Sequence, residues 1–302
     1  MDAKKLTNAA LLTAVAVVIT LLGAYIPPLF FLFFLLPVPI AIMILKSSET
    51  YAAVGGLVVF VLNIMFTDII TAFIGLLLSI IGFTIGFLIY KRKKATDTII
   101  ETSIISVFLL VLTFYMINFF FKINVITEFL KSFDMSLRQV LNLYSNHPNI
   151  DAIKNSILSL EQVVKMSLPA SFIITIAFIV LVNYILIAKI MKTQGVYIDN
   201  IPQFKYWRMP YVTGWIFIIA LLYQYFLKRP EIMSTNIIVL LSIGFTFTGM
   251  AVIKYYFDNK LKMKNFVSIS ILIILFIIPL TSWLLTLVGL ADASINLRKY
   301  MP

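Results

Sequence analysis

Long apolar runs separated by short polar breaks recur along the whole chain. Each run is close to the length that carries a helix across ~30 Å of hydrocarbon. Strict apolar–polar alternation is absent, and the runs far exceed a barrel strand, so helices rather than a closed barrel are expected. The pattern predicts spans over 8–26, 29–45, 51–66, 69–90, 103–121, 169–188, 211–227, 236–253 and 267–290. The interlude 122–167 is different. There Ile126, Phe129, Leu130, Phe133, Leu137, Val140, Leu141 and Tyr144 recur at helical spacing, and Ile153, Ile157, Leu160, Val164 and Leu168 form a second stripe. Residues Ser145 to Asn149, with Pro148 among them, separate the two stripes. The expected fold is all-α: a polytopic transmembrane helical bundle of eight or nine spans with an amphipathic helical hairpin outside the membrane.

Prolines and glycines refine that picture. Ile26-Pro27-Pro28 ends the first span in a stiff turn. Leu36-Pro37-Val38-Pro39 frees carbonyls inside the second, which is either a broken, re-entrant segment or a kinked span. A re-entrant run would lower the count to eight and move the C-terminus to the other side. Gly55-Gly56, and Gly82 with Gly86, allow neighbouring helices to approach closely.

Composition agrees. The chain is 61% hydrophobic and 12% charged, against about a quarter charged in soluble domains. Its net charge of +11 raises nucleic acid as a partner, but the basic residues cluster between apolar runs, where they set topology and meet anionic lipid. No nucleic-acid partner is expected; the lipid bilayer is. Lys4, Lys5, Lys46, the anchor Lys91-Arg92-Lys93-Lys94, Lys189, Lys192, Lys205, Arg208, Lys254, Lys260, Lys262 and Lys264 fall on one side when the N-terminus is cytoplasmic. Lys228, Arg229, Arg298 and Lys299 are the exceptions. Lys4 and Lys5 before an apolar run resemble a secretory signal, but the run is long and lacks a small-x-small cleavage pattern, so an uncleaved first span is expected.

Candidate chemistry is sparse. There is no cysteine, hence no thiol nucleophile or thiolate metal site. The single histidine, His147, lies in a proline-containing turn with no second ligand nearby in sequence. No zincin, nucleophile-elbow or phosphate-loop motif occurs, so no enzyme activity, cofactor or metal is expected. Few charges lie within the spans, which argues against a proton-coupled pump. Asp68, between the third and fourth spans, is either a functional ionisable group or a helix cap. Asn63, Asn118 and Asn183 join it as candidate substrate-binding residues, with interhelical bonding as the other use. On the first span Ala10 and Ala14, one turn apart, leave a groove for either an internal neighbour or a separate subunit.

Ala10-Leu11-Leu12-Thr13-Ala14, the Ile26-Pro27-Pro28 turn, Leu36-Pro37-Val38-Pro39-Ile40 and the glycine-bearing third span resemble the substrate-capture subunits of energy-coupling-factor vitamin transporters. That resemblance implies a six-helix core holding substrate towards the outside, with Ala10 and Ala14 docking a coupling subunit. With Gly289-Leu290-Ala291-Asp292 and Asn296-Leu297-Arg298-Lys299 closing the chain, the whole is similar to the uncharacterised YybS-like bacterial integral membrane proteins. The long hairpin and the three final spans depart from the capture-subunit pattern.

The chain is thus expected to divide into a six-span core, 1–192, and three additional spans, 193–302. The expected function is a non-enzymatic, small-molecule-binding, transport-related membrane subunit that docks to a partner. The alternative is a scaffold or sensor acting through the 122–167 hairpin.

Overall fold

The computed structural model describes residues 3–144, 149–228 and 230–300. Among them the chain is helical with no strand, and it divides into two compact units. His147 and Arg229 lie outside the described residues.

The first unit comprises Met1–Ile153 and Phe172–Ile201. α1 (Ala3–Tyr25) runs into a 3-10 helix, Pro27–Leu35, and then α2 (Pro37–Lys46). The two prolines of the 29–45 run therefore change the helix type instead of breaking the span. Pro37 occupies the first turn of α2, where no amide is needed, and Pro27–Lys46 is long and apolar enough to cross as one unit. α3 (Glu49–Phe66), capped by Ser48, and α4 (Ile69–Tyr90), capped by Asp68, follow. Gly82 and Gly86 on α4 lie against α2: a β-carbon on Gly82 would stand 2.4 Å from the Pro37 carbonyl oxygen, and one on Gly86 would stand 2.8 Å from that of Ala41. α5 (Ala95–Phe121) starts eight residues before the predicted span.

α6 (Val125–Leu143), capped by Asn124, is the first arm of the predicted hairpin and buries none of its residues. The second arm is not a separate helix. α7 (Ile150–Thr193) runs 44 residues without interruption through Pro169, roughly 66 Å at ~1.5 Å per residue and far more than a bilayer core needs. Its Ile176, Ile179, Val180, Tyr184, Ile187 and Met191 enter the core of the first unit.

The second unit comprises Lys154–Ser171 and Pro202–Pro302. Asn236 explains why α7 survives its proline. Its side-chain amide accepts from the Ala170 amide (2.7 Å) and donates to the Met166 carbonyl (2.8 Å), the two groups one helical turn would pair with each other. α8 (Tyr211–Leu227) and α9 (Ile232–Asn259) match the predicted seventh and eighth spans. The ninth is broken: α10 (Asn265–Ile277) and α11 (Pro279–Ile295) meet at 106°. Pro279 forces Ile278 into an extended conformation, and the Thr281 hydroxyl donates to the Leu275 carbonyl (2.5 Å), which Pro279 leaves without its helical amide. Among the described residues seven helices, or eight with this pair, are long and apolar enough to cross a membrane, as a polytopic bundle requires.

Candidate functional site

On α1 the inward edge is Ala9, Ala16 and Thr20, all buried, with half-buried Thr13 on the same side. Thr13 lies over Gly55 of α3, and the Thr20 hydroxyl meets Asn63 Oδ1 at 2.9 Å. Ala10 and Ala14 point elsewhere. Both are exposed, alongside exposed Leu11, Val15 and Val18.

The four polar candidates occupy separate places, and no hydrogen bond among the described residues joins two of them. Asn63 is fully buried, bonded to Thr20 through its oxygen, while its Nδ2 has no acceptor and abuts Gly75. Asn183 is also buried. It donates to Phe34 O (2.9 Å) and Ile179 O (2.8 Å), so it satisfies a carbonyl at the end of the 3-10 helix. Asn118 is exposed near the end of α5. Asp68 accepts from the Thr71 amide (3.0 Å) and the Thr71 hydroxyl, a helix cap by geometry. Partial burial pushes its carboxyl up, but the Thr71 and Ile70 hydrogen bonds outweigh that and hold it below the ordinary carboxylate value. An open apolar depression of about 240 Å³ lies near the C-terminal end of α5, lined by Leu112, Tyr115, Met116, Phe119 and Phe120. None of the four lines it.

The anchor Lys91–Lys94 is exposed between α4 and α5. Lys91 lies over the Phe87 and Tyr90 rings, Arg92 takes the left-handed turn at φ 56°, and Lys93 pairs with Glu101 at 2.5 Å. Next to it Asp199 accepts from the Ala95 amide (2.8 Å) and so caps α5 from a distant loop.

The second unit holds a charge cluster absent from the sequence-based candidates. Asp292, on α11, is completely buried, and neither carboxylate oxygen has a hydrogen-bond partner. Arg298 Nη2 stands 3.3 Å from Asp292 Oδ2, and Arg208 Nε stands 3.8 Å away. Arg298 reaches back across the left-handed Asn296 to donate to Lys205 O (2.8 Å) and Trp207 O (2.5 Å). Arg208 donates to Asp292 O (3.1 Å) and Ala293 O (3.2 Å), carbonyls of the last turn of α11. The two guanidiniums thus bond to the backbone of 205–207 and to the last turn of α11. Lys254 of α9 is also buried, at 7% exposure, and donates to Asp258 and to Asn265 Oδ1 (2.8 Å). The expected scarcity of buried charge therefore does not hold in this unit. The signal was present: an aspartate inside the apolar run Thr286–Ala293 is a functional candidate by default.

Among the described residues no group of three or more His, Cys, Asp or Glu side chains is placed to hold a metal. The arrangement can bind and orient charged groups.

These helices and their buried ion pairs define a polytopic integral membrane protein. A family model described as "Predicted membrane protein (DUF2232)" matches residues 14–293, and the chain belongs to that family. No curated protein and no solved structure matches it.

Proposed function

We propose that the chain is a non-enzymatic membrane subunit that docks a helix of a partner against the Ala10/Ala14 face of α1. The supporting observation is the division of labour on that helix. Ala9, Ala16 and Thr20 already serve internal packing, whereas Ala10 and Ala14 are small, adjacent and uncovered. On this reading the N-terminus is cytoplasmic, the partner is an energy-coupling subunit, and the first unit holds a small, fairly apolar molecule towards the outside. The spare Asn63 amide is a donor for such a guest. Native mass spectrometry of gently extracted protein tests it, with a bound small molecule and a coupling subunit expected. Ala10→Leu with Ala14→Leu is expected to abolish the association while leaving the melting temperature unchanged, since both side chains are exposed. Association that survives the double change overturns the docking reading.

A second reading, a scaffold or sensor, is favoured by α6, whose apolar stripe is buried nowhere along its length. It predicts that deleting α6 abolishes function while Ala10→Leu with Ala14→Leu is tolerated.

A further inference from the structure

The Asp292 cluster has an acceptor side that one guanidinium fills. Asp292 Oδ2, Lys205 O and Trp207 O converge on Arg298, and the Asp292 carboxylate has spare acceptor capacity on both oxygens. Arg208 does not use that capacity, because its hydrogen bonds go to main-chain carbonyls.

The walls of this site are also held by contacts that do not involve the tail. Asp292 is carried on α11, which is fixed against α9 by the backbone contact of Gly249 with Gly289 and by Thr246 against Thr286 at 2.8 Å. The carbonyl wall is held by the edge-to-face pair Phe204–Trp207 and by the Trp207 indole donating to Pro202 O at 2.8 Å. In the tail, a short 3-10 helix at Leu297–Tyr300, the Arg298 side chain is sequestered at 9% exposure, while Lys299 and Tyr300 are exposed. Its attachment through Arg298 uses one edge of the guanidinium and leaves Nε without an acceptor.

We propose that Asp292 with the Lys205 and Trp207 carbonyls is a binding site for an organic cation bearing N–H donors, a guanidinium or primary amine, and that Arg298 occupies it as a tethered ligand. A buried carboxylate flanked by backbone carbonyls matches the planar donor fork of a guanidinium. This inference is independent of docking at α1.

Chemical rescue tests it. The full chain carrying Arg298→Ala is melted in detergent, followed by tryptophan fluorescence, with and without millimolar guanidinium chloride. Urea and sodium chloride serve as controls. Guanidinium is expected to raise the melting temperature of Arg298→Ala by roughly 2–4 °C. Urea, sodium chloride, the unmodified chain and the Asp292→Asn/Arg298→Ala chain are expected to show no rise. If Arg298→Ala does not fold, Arg298→Gln is used in both backgrounds, with the same expectation. Absence of rescue, or equal rescue with Asp292 changed to Asn, overturns the proposal.

Discussion

Gly249 of α9 and Gly289 of α11 meet backbone to backbone: a β-carbon on Gly249 would stand 2.0 Å from Leu285 O, and one on Gly289 would stand 1.8 Å from Phe245 O. The pairs 245 with 289 and 249 with 285 make the helices antiparallel. Within a bilayer, helix association rests on such close packing, because lipid tails are as apolar as leucine. Backbone on both sides means that neither glycine gains room from a rotamer change. Gly249→Ala or Gly289→Ala is therefore expected to destabilise the second unit by about 2 kcal/mol or more, read by detergent-titrated unfolding. Gly214→Ala is the control. Its nearest neighbours, Leu290 and Ser294, would be at 3.5 Å, so a change within about 0.5 kcal/mol is expected.

The Asn236 amide makes a second prediction. It takes the Ala170 N–H and the Met166 C=O together, just where Pro169 has already removed one amide from α7. Asn236→Leu removes both partners at a turn with no spare bond. Hydrogen exchange at the Ala170 amide is expected to accelerate, with a stability loss of roughly 1–2 kcal/mol. Exchange–mass spectrometry over 162–176 reads the first. A rate at Ala170 that does not change would mean that α7 closes its own ladder through the proline.

These sites show how far sequence reading reaches. Hydropathy located the membrane segments because burial in lipid constrains every residue of a span. Gly82 and Gly86 were legible as a contact surface, and the cap reading of Asp68 needed only its neighbours. The unbroken course of α7 was not legible, since the group that compensates Pro169 lies on α9. The break at Ile278 has a local cause, Pro279, hidden by the apolar residues on both sides. The Arg298–Asp292 pair was hidden because the chain turns back at a left-handed Asn296, and the carbonyls that hold Arg298 come from residues 205–207.

Asp68 gives a pH-dependent prediction. Its folded-state carboxyl titrates below its ordinary value of 3.8. Its contribution is therefore complete above the unfolded-state pKa and is lost as pH falls through the lowered folded value. Asp68→Ala is expected to cost about 1 kcal/mol at neutral pH through the lost cap. Asp68→Asn keeps an acceptor for the Thr71 amide and is expected to flatten the acid side of the stability profile. Melting curves between about pH 6 and pH 2 check both. Identical profiles for the parent and Asp68→Asn would remove Asp68 from the acid transition.

The charges around Asp292 are expected to act as one unit. Asp292 is fully buried, and the side chain of Arg298 is 9% exposed, against 36% for Arg208. Asp292→Asn leaves the Arg298 guanidinium buried with only carbonyls to neutralise it. Stranding one member of a buried pair costs on the order of 3–5 kcal/mol. Asp292→Asn/Arg298→Gln removes both buried charges and leaves Arg208 partly exposed, so it is expected to be less destabilising than Asp292→Asn alone. A double-mutant cycle on unfolding free energy measures the difference, with an interaction of about 1 kcal/mol or more expected. Arg208→Gln in place of Arg298→Gln is expected to recover less, because its charge is already partly hydrated. Strict additivity of Asp292→Asn and Arg298→Gln would show that the carboxylate and the tail guanidinium are energetically separate, however near they stand.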